Sequence, residues 1–176
     1  MSRFSTGRVR RVQDEVDRLV EAWRRERPDL DLGPMEVLSR VSRLSRHLEV
    51  ARRAAFADHG IEQWEFDVLA ALRRAGPPYQ LSPGRLLRET LVTSGTMTNR
   101  VDRLTGRGLV ERLPEPRDRR GVLVRLTDQG RETVDGALVS LLELERPLLS
   151  ALGAEDRDRL AGLLRRLATS VETDPG

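Results

Sequence analysis

The chain of 176 residues contains no cysteine. Disulfides, thiolate metal sites, thiol redox sensing and cysteine nucleophiles are thereby excluded. Lysine is absent as well, so all 31 basic residues are arginine. Long apolar runs are missing: 34% of the residues are charged, and no stretch approaches the roughly 20 residues a membrane span needs. The arginines between Met1 and Arg11 have no apolar segment behind them, so a secretory signal is not expected. These absences describe a soluble, cytoplasmic protein with no membrane partner. The length suits one domain, or a domain with dimerisation extensions, large enough to bury its own core.

Catalytic signatures are absent too. The sequence has no phosphate-binding glycine loop, no Ser-His-Asp arrangement in context and no paired carboxylates in a glycine- or strand-defined pocket. No catalytic residue and no cofactor are expected, and the chain does not read as an enzyme. His47 and His59 stand apart without an acidic cluster to complete a coordination set, so no metal site is expected.

The use of arginine alone has two explanations. A genome rich in arginine codons would produce it, and so would a demand for guanidinium, which suits bidentate phosphate recognition better than ammonium. The ratio does not separate them, but location is informative. Residues 1–84 carry 15 arginines and 13 acids, residues 85–125 carry 10 and 5, and residues 126–176 carry 6 and 10. A net charge of +3 thus conceals a basic middle and an acidic tail. Such clustering is the footprint of nucleic-acid binding, although a solvated helix can also collect arginines.

Apolar spacing predicts the elements. Val12, Val16, Leu19, Val20 and Trp23 mark a helix over Gln13–Arg27, stopped by Pro28. Leu38, Val41, Leu44, Leu48, Ala51 and Ala55 mark a long helix from Pro34 to Gly60, and a third runs over Glu62–Ala75 with Phe66, Leu69 and Leu72 inward. Ser82-Pro83 starts a short helix ending near Thr90. Another begins at Ser94 and ends at Gly106 or Gly108. Strands over Leu109–Leu113 and Val122–Leu126 follow, joined by a long basic loop. Thr127 caps a helix through about Glu145, which Pro147 should kink or interrupt, and a last helix spans about Ala154–Val171. The expected fold is mainly α (α+β): a winged helix-turn-helix over residues 61–126, between N-terminal helices (1–60) and C-terminal helices (127–176).

On the helix from Ser94, Met97, Val101 and Leu104 form one apolar face, and Thr96, Asn99, Arg100 and Arg103 repeat that spacing on another side. Hydroxyl, amide and guanidinium groups read base edges or hold phosphates in a major groove. The small first turn, Thr93-Ser94-Gly95-Thr96, permits close approach and offers backbone N–H groups to a phosphate. An ordinary exposed helix face would look similar. The wing loop narrows the choice: Arg117, Arg119 and Arg120 surround Asp118 where folding does not require them. Asp118 is expected to hold the loop's shape and Arg119 to enter a minor groove. Thr98, on the same helix, completes the set of candidate DNA contacts.

At these residues the sequence resembles the MarR family of winged-helix transcriptional regulators. The resemblance rests on Leu91-Val-Thr-Ser-Gly-Thr-Met-Thr-Asn-Arg-Val-Asp-Arg-Leu104, on Arg107-Gly-Leu-Val-Glu-Arg112, on Asp118-Arg-Arg-Gly121 and on Leu126-Thr-Asp-Gln-Gly130. It implies a homodimer on a pseudo-palindromic double-stranded DNA operator, with the N- and C-terminal helices building the dimer interface. The leucine-rich tail suits that role, or an intramolecular core. The family's cysteine-dependent peroxide sensing is excluded by composition. A rival reading is a helical protein-interaction module whose winged helix no longer binds DNA.

The helix over Gln13–Arg27 is an extension that many family members lack, and it resembles the urate-responsive subgroup. That likeness implies a ligand site of Trp23, Asp67, Arg74 and Arg112, responding to a purine-like or another small organic anion. Structural packing for Trp23, ion pairs for Asp67 and Arg74, and a phosphate contact for Arg112 are the alternatives. One departure is visible: Ser45 stands where the subgroup's pattern has histidine.

Overall fold

A computed structural model describes residues 13–90, 94–116 and 118–172. It contains α1 (Glu15–Glu26), α2 (Gly33–Ala57), α3 (Gln63–Arg74), β1 (Gln80–Leu81), α4 (Pro83–Thr90), α5 (Ser94–Gly106), β2 (Val110–Glu115), β3 (Asp118–Leu126), α6 (Asp128–Leu148) and α7 (Ala154–Glu172). The chain divides into two units, Met1–Glu49 and Val50–Gly176.

In the first unit, α1 starts at a capping box. Asp14 accepts from the Asp17 amide at 2.9 Å, and Asp17 accepts from the Asp14 amide at 2.9 Å, so two amides without helical partners are satisfied together. Acids in the first turn and arginines in the last complement the helix dipole. Val16 and Val20 bury their side chains with Leu32, and Met35 packs against them. Arg40 of α2 returns to Asp14 and Asp17, each at 2.7 Å, fixing the two helix segments of this unit by charge-assisted bonds.

The second unit holds the larger core. Val68, Leu69 and Leu72 of α3 meet Leu86 of α4, Val101 and Leu104 of α5, Val124 of β3 and Ala137 of α6, all buried. Phe56 and Phe66 stack with centroids 4.4 Å apart. Three antiparallel strands lie in the order β1-β3-β2. The expected winged helix-turn-helix is therefore present, with one strand more than the sequence reading supplied. Two residues are too few for an alternation to be visible, and β1 exists because Gln80 and Leu81 pair with Arg125 and Val124.

The hairpin also departs from expectation. The long loop over residues 114–121 is mostly strand: β2 continues to Glu115 and β3 begins at Asp118. Pro114 pairs opposite Val122, and β2 is an edge strand, where proline's missing N–H costs no ladder bond. At the other end of the sheet Thr127 accepts from the Gly130 amide at 3.0 Å and starts α6 as expected. Pro147 does not interrupt α6, which ends one residue later at Leu148. The apolar positions of α2 and the last two helices are only partly used within one chain. Leu38, Leu44, Leu142 and Leu163 are exposed, whereas Ala55, Val134 and Ala137 are buried.

Candidate nucleic-acid interface

Helix α5 is seated by Met97, Val101 and Leu104, each no more than 1% exposed. This apolar face turns the opposite side outward: Thr96, Thr98, Asn99, Asp102 and Arg103 are exposed and Arg100 is half-buried. Asn99 lies at the centre of the outward side. Thr96, Arg100 and Arg103 form the flank toward α3, while Asp102 lies toward the sheet. Thr93 and Arg117 lie outside the described residues, as do the side chains of Ser94, Asp118, Arg119 and Arg120.

The flank toward α3 is ordered by aromatic and acidic groups. The Arg103 guanidinium carbon lies 4.7 Å from the centroid of the Trp64 ring, and that of Arg100 lies 5.4 Å from it. Trp64 Nε1 donates to Glu62 Oε2 at 2.9 Å, and Arg103 Nη2 donates to Glu62 Oε1 at 3.1 Å. The bond from Trp64, and then Arg103, holds the Glu62 carboxyl below its usual range. At the end of α5, Arg107 donates to both oxygens of buried Glu65 at 2.6 Å and to the Gly60 carbonyl at 2.7 Å. Toward the sheet, Arg112 of β2 donates to Asp102 at 2.7 Å.

The basic middle of the sequence is thus less bare than its composition suggests. Glu62 and Glu65, which precede it in the chain, fold back onto Arg103 and Arg107, and Asp102 holds Arg112. Counting charge along the sequence cannot register carboxylates that arrive through tertiary structure. The sequence suggested no such role for Trp64, Glu62, Asp102 or the Glu65–Arg107 pair. The dense Glu-Gln-Trp-Glu run at residues 62–65 is a local signal for the first part of this cluster.

The residues proposed for a ligand fall in different places. Trp23 is exposed in the first unit. Asp67 is half-buried on α3, and among the described residues it has no hydrogen-bond or ion-pair partner. Burial pushes its carboxyl up, and the charges of Arg100, Arg52 and Arg74 oppose that in turn. Arg74 is exposed and lies 3.9 Å from Glu89, so it does not bond Asp67. Arg112 is occupied by Asp102. A separate groove of about 470 Å³ in the first unit is lined by Asp14, Asp17, Glu21, Arg24, Glu36 and Arg40. Its two arginines already pair with three of its four carboxylates, so the groove is net negative and does not favour an anion.

A helix presenting polar groups beside a two-stranded wing defines a winged-helix DNA-binding protein. A family model described as MarR family matches residues 59–121. The HTH-type transcriptional regulator PecS of Dickeya dadantii (strain 3937) is 39% identical, over 87% of this chain and 92% of its own. Crystallised mutant MarR from E. coli complexed with operator DNA superposes with a TM-score of 0.66 at 29% identity, covering 78% of this chain and 99% of that one. The structure of BpsR from Bordetella bronchiseptica, described as regulated in DNA binding by 6-hydroxynicotinic acid, gives a TM-score of 0.66 at 25% identity over 77% and 95%. The chain belongs to the MarR family of transcriptional regulators, and its relatives are regulators rather than enzymes.

Proposed function

We propose that the protein is a homodimeric repressor that leaves a pseudo-palindromic operator when a small organic anion binds. The observation that carries the DNA half is α5 itself: Met97, Val101 and Leu104 anchor it and leave Asn99, Thr96, Thr98 and the Trp64-backed arginines outward. Asn99 and Arg100 read bases, Arg103 holds a phosphate, and the wing arginines Arg117, Arg119 and Arg120 reach the neighbouring groove while Asp118 holds the loop's shape. Thr93 and Ser94 offer the first-turn contacts to the backbone. The exposed leucines of α2 in the first unit, and those of α6 and α7 in the second, are apolar faces that a second copy covers. Superposition on an operator-bound MarR structure supports the same reading.

For the effector half, Asp67, Arg74 and Arg112 of the second unit are the candidate ligand residues, and Trp23 of the first unit is a candidate considered by itself. The support is Asp67, which is half-buried, has no hydrogen-bond or ion-pair partner among the described residues, and feels the charges of Arg100, Arg52 and Arg74. A purine-like or aromatic carboxylate anion fits this charge pattern, and a structural relative is described as regulated by 6-hydroxynicotinic acid. An anion that takes Arg112 leaves Asp102 unneutralised on the reading helix, where it repels phosphate.

The test is binding to a duplex selected by the wild-type protein from a random library, measured across salt concentrations. A phosphate-binding regulator loses affinity linearly in log salt, and Arg119→Ala is expected to weaken all duplexes while reducing the slope by about 1. Absence of salt-dependent binding would leave the protein-interaction module as the reading, and an unchanged Arg119 variant would remove the wing from the interface.

A further inference from the structure

We propose that Trp64 is a positioning residue for DNA recognition: its indole face sets the guanidiniums of Arg100 and Arg103, and Glu62 sets the indole. The inference rests on α5 being the reading helix. Both guanidinium carbons, at 5.4 and 4.7 Å from the ring centroid, lie within the roughly 6 Å over which a ring's negative face attracts a cation. The two arginines are three residues apart on one helix flank, so without an intervening group they repel each other. The ring supplies opposite charge character to both, and the Glu62 carboxylate supplies it to Arg103.

The arrangement is fixed at each joint. Glu62 uses one oxygen for Trp64 Nε1 at 2.9 Å and the other for Arg103 at 3.1 Å, so one carboxylate orients both the platform and a cation resting on it. Glu62 also belongs to the capping box of α3: Glu65 accepts from its amide at 2.9 Å, and Glu65 in turn is locked by Arg107. The platform therefore stands on the buried anchor of α3 and not on a mobile loop. An arginine otherwise loses much side-chain freedom when it reaches DNA, and ordering it beforehand reduces that loss. Trp64 serves specificity in this way without touching a base. Asp67 lies one turn further along α3, and its charge also acts on Arg100, so the platform joins the candidate effector residue to the reading helix.

The test compares wild type, Trp64→Phe, Trp64→Leu and Glu62→Gln on the library-selected duplex and on a scrambled duplex of equal composition, at several salt concentrations. Trp64→Leu keeps apolar bulk without the ring. It is expected to bind the selected duplex about tenfold more weakly, since a dimer carries four such contacts. The scrambled duplex should change less, so the specificity ratio falls. No phosphate-binding charge is removed, and the salt slope should stay within about 0.5 of wild type. Trp64→Phe is expected to recover most of the ratio. Glu62→Gln releases Arg103 and should raise affinity for the scrambled duplex. A folded Trp64→Leu protein with the wild-type ratio overturns the proposal, as does equal loss on both duplexes. If Trp64→Leu fails to fold, an unchanged ratio in Glu62→Gln overturns it. Failure of the wild type to bind any duplex removes the underlying DNA reading instead.

Discussion

Arg107 donates to both carboxylate oxygens of Glu65, a side chain only 1% exposed, and ties it to the Gly60 carbonyl. This pair joins the C-terminal end of α5 to the N-terminal end of α3. A buried carboxylate is tolerable only while its partner remains, because removing the partner leaves an uncompensated charge. Arg107→Leu is expected to destabilise the fold by about 3 kcal/mol, with the exposure of Arg107 keeping the loss at the lower end for buried pairs. Glu65→Gln, which keeps hydrogen-bonding capacity, should cost less. Urea unfolding measures both, and equal or negligible losses would contradict the anchor role.

The start of α6 is set by a close approach and not by its cap alone. A Cβ built at Gly130 would lie 2.0 Å from the Leu109 carbonyl oxygen, a backbone atom that cannot turn aside. Thr127 bonds to the Gly130 amide and to the Gly108 carbonyl, holding α6 against the base of the wing. Gly130→Ala is therefore expected to destabilise by about 3 kcal/mol through backbone displacement, although alanine is the better helix former. A thermal midpoint equal to wild type would show that the backbone relaxes freely there.

The helices were legible because their signals are local. Ser82-Pro83, Thr127 and the Met97–Val101–Leu104 spacing each act within a few residues, and each lies in the described fold as expected. The limits arose where partners come from elsewhere in the chain. Strand β1 is defined by β3, and Pro114 is compatible with a strand only because β2 is at the edge. The basic stretch at 85–125 was visible, but the pairing of Arg103, Arg107 and Arg112 was not. Leu38 and Leu44, which marked α2, are exposed, because their spacing reports an apolar face and not what covers it.

Asp67 gives a pH dependence of definite sign. Burial, the larger influence, raises its pKa in the folded state, with Arg100, Arg52 and Arg74 opposing. The native state then holds the proton more tightly than the unfolded chain, so this group lowers stability as pH rises above the unfolded value of about 3.9. Asp67→Asn removes that penalty and is expected to raise the thermal midpoint at pH 7. Its advantage should shrink as the pH is lowered toward 4. A constant or reversed difference across that range would contradict the burial argument.

Arg112 and Asp102 couple β2 to α5 through a single bond of 2.7 Å. Both side chains are substantially exposed, so the pair itself adds little stability, about 0.2–1 kcal/mol. Its larger consequence is electrostatic: Arg112 cancels a carboxylate that faces the same side as Asn99. Arg112→Ala is expected to weaken every duplex severalfold by uncovering Asp102, and Asp102→Asn in that background should restore most of the loss. A double-mutant cycle on DNA affinity reads this coupling directly, and additive single effects would show that the pair is independent of DNA. With urate and 6-hydroxynicotinate as probes, Asp102→Asn should bind DNA at least as well as wild type and be released less by whichever anion releases wild type. Full release of that variant would mean that the effector acts on the helix by displacement through Asp67, without using the charge on Asp102.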